Sequence, residues 1–167
     1  YYNQMQDNIN AFTLYCINPA IQGGENRWID PEMLYIKLRD LNSDFIKSLS
    51  IKSALTIPQR RVANKIIRKK TSGPIFFIDN VSKKPKMRFT QRKTNIQLAK
   101  SKNFLQAINK LNDILANECE LHHQYKLKSG EGLVCNNVLH TRSSFKDFFI
   151  KKRKLIRGRY KNKIQYE

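Results

Sequence analysis

Histidine is scarce in this sequence and is the side chain best suited to bind a metal or exchange a proton near neutral pH. The 167 residues contain three histidines, His122, His123 and His140. Imidazole titrates near neutral pH and is the commonest protein ligand for transition metals. Any metal-dependent or acid–base chemistry that uses imidazole therefore depends on these three positions.

His140 has the surroundings that best fit a functional site. It follows a strand-like run at residues 132–135 and precedes a basic stretch that carries Arg153 and Arg157. Arginine binds a carboxylate through two parallel hydrogen bonds. An imidazole at a strand end, with guanidinium groups on the next strand, could hold a metal ion and a dicarboxylate together. The common alternative is a buried histidine whose hydrogen bonds are satisfied by a neighbour.

The other two histidines have a simpler explanation. His122 and His123 come just after a predicted helix, where a cation interacts favourably with the helix dipole. A zinc site built from Cys119, one of these histidines and Cys135 is the alternative, since thiolate and imidazole are the usual zinc ligands. The sequence offers one Cys-x-x-His spacing and no second close pair of ligands, which favours the helix-end interpretation.

Charge and cysteine content limit the partners and the compartment. Lysine and arginine number 32 against 13 acidic residues, a net charge of +19, so nucleic acid, an acidic lipid surface or an anionic substrate are the first partners to consider. The charge is spread along the chain, however, and evenly spread charge is more often a solvated surface than a binding stripe. Three cysteines, Cys16, Cys119 and Cys135, form no disulfide framework and indicate a reducing compartment, so we expect a cytoplasmic protein. No apolar run approaches the length of a membrane-spanning helix.

The elements that must position these residues are mostly short strands. Apolar and β-branched runs predict strands at residues 11–17, 62–67, 75–78, 87–90, 124–127, 132–135 and 154–160. Capping residues and helical periodicity predict helices at residues 31–41, 43–49 and 101–119. Many short strands with one long helix predict a mostly β fold with helices (α+β), whose strands form a sandwich or a barrel such as a jelly roll.

Two segments resemble a known family. From Gly130 to Phe145 the order is a Gly-acid pair, an apolar strand, an asparagine, and then His-x-Arg followed by an aromatic residue. Upstream, an apolar strand leads into a Gly-Gly-Glu turn and then into an acidic residue, Asp30, before a helix. Both segments resemble Fe(II)/2-oxoglutarate-dependent dioxygenases of the taurine dioxygenase (TauD/TfdA) and clavaminate synthase-like family. They occur in the family's order, so the resemblance covers nearly the whole chain.

This resemblance implies a fold, a cofactor and site residues. The fold is a double-stranded β-helix of the jelly-roll type, with Fe(II) held by two histidines and one carboxylate, which leaves three positions for 2-oxoglutarate and O₂. His140 matches the distal histidine, which binds the metal. Arg153 matches the arginine that pairs with the far carboxylate of 2-oxoglutarate, and Arg157 is a second support for it. Asn26 stands where many members have a threonine that contacts the co-substrate.

The sequence departs from the family pattern in two ways. The linker from Asn137 to His140 is shorter than in most members. No His-x-Asp or His-x-Glu pair occurs in the 167 residues, although the resemblance places one immediately before Tyr1. We therefore expect residues 1–167 to be a single dioxygenase-like domain that lacks its N-terminal part. The alternative is a protein that has lost its iron site.

The resemblance implies an oxidoreductase that uses Fe(II), O₂ and 2-oxoglutarate to hydroxylate a small-molecule substrate, giving succinate and CO₂. An anionic compound or an amino-acid derivative is the expected kind of substrate. One rival is a basic nucleic-acid-binding module, with residues 151–161 as a cationic arm whose binding would depend strongly on salt. The other rival is a catalytically inactive jelly roll that serves as a binding protein.

Overall fold

The computed structural model of the protein describes residues 9–92, 94–117, 120–136, 138–147 and 149–165. They form two compact units. The strand unit contains residues 9–30 and 120–165, and the helical unit contains residues 31–117. Each unit is built around its own sheets.

The strands and helices are numbered in chain order. The strands are β1 Ala11–Asn18, β2 Gln22–Gly23, β3 Asn26–Ile29, β4 Leu55–Ile57, β5 Arg60–Val62, β6 Lys65–Arg68, β7 Thr71–Gly73, β8 Phe76–Ile78, β9 Pro85–Met87, β10 Gln97–Leu98, β11 His122–Tyr125, β12 Gly132–Asn136, β13 Leu139–Arg142, β14 Phe145–Lys146 and β15 Lys154–Tyr160. The helices are α1 Pro31–Leu41, α2 Ser43–Leu49 and α3 Lys102–Ala116.

The strand unit contains two three-stranded antiparallel sheets and one two-stranded pair. The first sheet has the order β12-β1-β15, the second has the order β11-β3-β13, and β2 pairs with β14. Side chains alternate between the two faces of a strand, so Phe12, Leu14 and Cys16 share one face of β1. Phe12 and Cys16 are buried, whereas Tyr15 on the other face is exposed. The inner face of the first sheet therefore belongs to the core of this unit.

The helical unit buries one apolar stripe of each helix. Proline at the first position of α1 suits a helix start, and Asn42 caps α2 by accepting a hydrogen bond from the backbone N–H of Asp44. Ser101 caps α3 in the same way, and the buried face of α3 includes Phe104 and Leu111. The sheets of this unit are β10-β4-β7, β5-β6 and β8-β9.

Most of the predicted elements are confirmed. Helices α1 and α2 and strand β15 have the predicted bounds, and the predicted strand 11–17 extends by one residue. The predicted helix 101–119 is observed from Lys102 to Ala116, and Cys119 lies outside the described residues. The mostly β character with three helices is confirmed as well.

Three strand predictions need correction. Residues 62–67 form the turn and part of both strands of the β5–β6 hairpin, because Ala63 adopts a positive φ of 48° and reverses the chain. The strand predicted at 87–90 is Pro85–Met87, which pairs with β8. The strand predicted at 124–127 is His122–Tyr125, set by its register with β3. The predicted boundaries of these three strands were wrong because they were taken from apolar content alone.

The basic stretch at residues 151–161 is not a separate arm. Its central part, Lys154–Tyr160, is strand β15 and pairs antiparallel with β1 along the whole strand. The feature that favoured a nucleic-acid-binding arm is therefore part of a sheet. Within the described part of the chain, no helix is long and apolar enough to cross a membrane.

Candidate active site

His140 lies within strand β13, whereas the sequence predicted it at the end of the preceding strand. In the antiparallel register it stands opposite Trp28 of β3. Its ring packs against Phe12 of the first sheet, with 4.6 Å between the ring centroids and a tilt of 41°. Phe12 belongs to the inner face of β1, so the His140 ring contacts that face while the residue itself stays exposed.

One nitrogen of the His140 ring is engaged by the backbone. Nδ1 lies 2.9 Å from the carbonyl oxygen of Val138. A proton on Nδ1 would donate to that carbonyl and would leave the lone pair of Nε2 available for a metal ion. A hydrogen bond from the second nitrogen to a backbone carbonyl is the usual way in which proteins fix a metal-binding imidazole.

Two adjoining cavities open on the inner face of the strand unit. The one beside His140, of about 30 Å³, is lined by Phe12, Leu14, Asn26, Trp28, Leu133, Cys135, Val138, His140 and Thr141. The larger one, of about 290 Å³, is lined by Asn26, Trp28, Tyr125, Leu127, Glu131, Gly132 and Leu133. The two cavities share three residues, Asn26, Trp28 and Leu133. A mostly apolar lining with few polar groups is typical of small-molecule sites.

Asn26 is the most buried polar side chain at this site. It is 9% exposed, stands between Tyr125 of β11 and Arg142 of β13, and lines both cavities. An amide can both donate and accept hydrogen bonds, so this one is suited to hydrogen-bond a molecule bound in either cavity.

Arg153 lies directly before β15 and is partly buried. Its guanidinium carbon stands 5.2 Å from the centroid of the Phe145 ring, and a Cβ on Gly24 would lie 3.4 Å from its Nε. Burial lowers the pKa of Arg153, and the nearby charge of Arg142 lowers it further. Arg153 is not among the residues that line the His140 cavity.

Arg157 stands within β15, opposite Leu14 of β1. Residues directly opposite each other on paired strands share a face of the sheet, so Arg157 lies on the same face as Leu14, which lines the His140 cavity. Its side chain is exposed. Of the four site residues predicted from the sequence, His140 and Asn26 thus line one cavity, and Arg157 and Arg153 lie beyond that lining.

Ser143 holds the Gly-Gly-Glu turn against the end of β13, a role that the sequence did not reveal. Its Oγ accepts hydrogen bonds from the backbone N–H groups of Gly24 (2.9 Å) and Glu25 (3.1 Å) and donates to the Glu25 carboxylate. This bond from Ser143 is the main reason that the pKa of Glu25 is lowered. The turn brings Gly24 beside Arg153 and thereby joins the two segments that carry the family resemblance.

The remaining histidines belong to β11, so the predicted location after a helix end is wrong. His122 pairs with Ile29 and His123 with Trp28, on which the His123 ring stacks at 6.0 Å. Among the residues that the structure describes, no three His, Cys, Asp or Glu side chains are grouped to hold a metal ion. Cys119, the first ligand of the zinc alternative, lies outside them. Among the described residues, His140 is therefore the histidine that lines a cavity of the strand unit.

Two comparisons with known proteins gave matches, one to a family and one to a fold. Residues 5–159 match the model of the family described as "Taurine catabolism dioxygenase TauD, TfdA family". A comparison with curated proteins gave no match. Among solved structures, an asparagine oxygenase in complex with Fe(II), 2S,3S-3-hydroxyasparagine and succinate is similar, with a TM-score of 0.66 and 14% identity over 95% of this chain and 48% of that one.

Further solved structures have the same fold. AAD-2 in complex with Mn(II) and N-oxalylglycine matches with a TM-score of 0.67 and 13% identity, over 93% of this chain and 64% of that one. A second asparagine oxygenase structure gives 0.67 and 13%, over 95% of this chain and 47% of that one. This likeness establishes the jelly-roll fold, and the chain spans about half to two thirds of the length of these structures.

Proposed function

Since the chain belongs to the TauD/TfdA dioxygenase family, we propose that the full-length protein is an oxidoreductase that uses Fe(II), O₂ and 2-oxoglutarate. Its reaction would hydroxylate or otherwise oxidise a small-molecule substrate and release succinate and CO₂. The observation that carries this proposal is the placement of His140. Its ring lines a cavity between two sheets, and a backbone carbonyl engages Nδ1 and leaves Nε2 for a metal.

The proposal assigns roles to four residues. His140 binds the iron, and Arg153 pairs with the far carboxylate of 2-oxoglutarate, which its planar guanidinium can grip with two hydrogen bonds. Arg157 is a second support, on the sheet face that it shares with Leu14. Asn26 donates a hydrogen bond to the co-substrate from its partly enclosed amide. Bound Fe(II) and 2-oxoglutarate would supply the oxidising chemistry, while these side chains orient the reactants and limit access of water.

The other iron ligands are part of the same proposal. A His-x-Asp or His-x-Glu pair in sequence before Tyr1 would complete the facial set of two imidazoles and one carboxylate. In this view residues 1–167 are the C-terminal portion of one dioxygenase domain. The upstream coding sequence tests this directly. Its lack of such a pair would favour the inactive jelly roll over the enzyme.

For the substrate and the compartment, the proposal names a class of compound and a redox environment. An asparagine oxygenase and AAD-2 share the fold, and the former was solved with 3-hydroxyasparagine, which favours an amino-acid derivative or another small anionic compound. The arginines of the strand unit are compatible with a carboxylate on the substrate. Cys16 and Cys135 are free thiols, which fits a reducing compartment such as the cytoplasm.

The decisive experiment measures succinate formation from 2-oxoglutarate by the full-length protein with added Fe(II). We expect His140→Ala to abolish turnover and Arg153→Ala to raise the KM for 2-oxoglutarate by about 10- to 100-fold, since hydrogen bonds to charged groups contribute about 1.5–3 kcal/mol. Arg27→Ala is the matched control, because Arg27 contacts Gln124 and lies on the opposite face of β3 from Asn26 and Trp28. Equal turnover in all four proteins would refute the assignments.

A further inference from the structure

The helical unit contains a strongly basic β-ribbon. Residues 31–117 carry 19 Lys and Arg against five Asp and Glu, and no acidic residue occurs between Asp44 and Asp79. Within that acid-free stretch, β4 pairs with β7, and the β5–β6 hairpin lies between them in sequence. Residues 55–73 therefore form one long hairpin that reverses at Ala63, where φ is positive. This hairpin is called the basic ribbon below.

The base of the basic ribbon is anchored in the core of the helical unit. All three residues of β4 are buried. The buried guanidinium of Arg88 donates hydrogen bonds to the carbonyl oxygens of Leu55 (2.9 Å) and Thr71 (3.3 Å), one on each strand of the base. Arg68 joins the two strands again by donating to the carbonyl oxygen of Pro58. An isolated two-stranded hairpin is only marginally stable in water, so these contacts keep the ribbon ordered.

The outer part of the basic ribbon, strands β5 and β6, is exposed on both faces. Val62 shares one face with Lys65, and Ile66 shares the other with Arg61, because these residues stand opposite each other across the hairpin. Val62, Ile66 and Ile67 are 54%, 43% and 50% exposed. The cations of this part and of the two residues after it are Arg60, Arg61, Lys65, Arg68, Lys69 and Lys70. Each face thus presents an aliphatic side chain next to a cation.

A lipid surface fits this arrangement better than a protein partner, which would contact one face and leave the aliphatic side chain of the other face in water. The three aliphatic residues lie one to three positions from the turn at Ala63 and Asn64. At about 3.3 Å per residue, they reach about 3–10 Å from the turn, the depth to which interfacial segments enter a bilayer. Four of the six cations lie at or behind the Arg60–Arg68 pair, level with the lipid headgroups. The two cations nearer the turn have long side chains that can extend back to that level.

We propose that the outer part of the basic ribbon docks the protein on an anionic membrane surface, with its aliphatic side chains at the acyl-chain boundary and its cations among the headgroups. The ribbon would lie on the membrane rather than span it. This inference goes beyond the proposed function and does not rest on it, because every residue of the ribbon belongs to the helical unit. Each lysine or arginine near an anionic bilayer strengthens binding by about fivefold.

Vesicle sedimentation of the full-length protein tests the role of charge. Binding is measured to phosphatidylcholine vesicles with and without phosphatidylserine. We expect binding that requires phosphatidylserine and weakens as salt is added, since salt screens exposed charges. Arg60→Gln with Arg61→Gln should weaken this binding by about 10- to 30-fold. Lys151→Gln with Lys152→Gln is the matched control, because it removes two exposed charges from the strand unit, and it should weaken binding by less than about threefold.

Aliphatic variants test whether the tip of the ribbon enters the bilayer. Val62→Thr with Ile66→Thr keeps the β-branched shape and should weaken binding to phosphatidylserine vesicles by about 10- to 30-fold. Val134→Thr with Ile156→Thr is the matched control, because these side chains are similarly exposed on β12 and β15, and it should match wild type within about twofold.

Three outcomes would overturn the inference. If wild type does not bind phosphatidylserine vesicles, the ribbon is not a membrane-docking element. If the ribbon variants bind these vesicles as tightly as their matched controls do, the net charge of the protein alone causes the adsorption. If the ribbon variants weaken binding to a DNA duplex but not to vesicles, nucleic acid is the partner. None of these outcomes affects the succinate assay, so the proposed function is tested separately.

Discussion

A side chain at Gly23 should destabilise the strand unit more than a side chain at Gly130, although both glycines have a positive φ. Their φ angles are 69° and 85°. A Cβ on Gly23 would lie 2.1 Å from the backbone oxygen of Ser144, whereas a Cβ on Gly130 would meet nothing within 4 Å. Gly23→Ala and Gly130→Ala therefore form a matched pair that differs in the steric contact.

The magnitudes follow from these contacts. Each alanine incurs about 1–2 kcal/mol for a left-handed backbone conformation. At Gly23 the displaced strand β14 would also lose its pairing with β2 and the 3.1 Å hydrogen bond from Gly24 N–H to the Ser144 carbonyl, each worth about 1 kcal/mol. We expect Gly130→Ala to lower the free energy of unfolding by about 1–2 kcal/mol and Gly23→Ala to lower it by about 3–4 kcal/mol.

Denaturant unfolding of the full-length protein measures this difference. The fluorescence of Trp28, the only tryptophan in the 167 residues, reports on the strand unit because Trp28 lies in β3. The midpoint and slope of each transition give the free energy of unfolding for each variant. Equal losses for the two alanine variants would show that the close approach of Gly23 to Ser144 does not constrain the folded protein.

Three further predictions concern other parts of the chain. Ser143→Ala should lower the free energy of unfolding by about 1–3 kcal/mol, because it removes an acceptor shared by two backbone N–H groups. Ser144→Ala, the control, should change the free energy of unfolding by less than about 0.5 kcal/mol in the same assay. Hydrogen bonds from the backbone N–H of Lys128 and then from the Tyr125 hydroxyl lower the pKa of Glu131 below its ordinary value of 4.5. The ionised carboxylate therefore stabilises the folded protein above pH 4.5, and this stabilisation is lost as the pH falls through the lowered pKa. Stability measured between pH 5 and about pH 2 should therefore fall less steeply in Glu131→Gln than in wild type. Phe104→Ala should lower the free energy of unfolding by about 3–5 kcal/mol, measured by helical circular dichroism, because that ring is fully buried on α3.

The helices were predictable because their signals are local. Asp30 and Pro31 mark the start of α1, and the spacing of apolar residues marks the buried face of α3. The short strands lack such signals. Strand β13 has the sequence Leu-His-Thr-Arg, and its partner β3 is more than 100 residues away in sequence. Strands of four residues or fewer are defined by their pairing, which composition does not reveal.

The site could be predicted only where the family resemblance named a residue. His140 and Asn26, which the resemblance named, line one cavity, and their roles in binding stay predictions. Ser143 was missed because its hydrogen bonds reach backbone groups more than 100 positions away in sequence. A serine in a loop has no local pattern that indicates such a role.

The register of β13 against β3 determines which way His140 and Arg142 face. Because side chains alternate along a strand, a slip of one residue against β3 would place Thr141 where His140 now faces the cavity and would turn Arg142 away from Asn26. A four-residue strand with an exposed, polar sequence cannot fix its own register through burial. Ser143 supplies the missing constraint, since its hydrogen bonds to the Gly-Gly-Glu turn anchor the residue that follows the strand. The orientation of the proposed iron ligand thus depends on the hydroxyl group of Ser143, which lies after the strand and contacts the Gly-Gly-Glu turn.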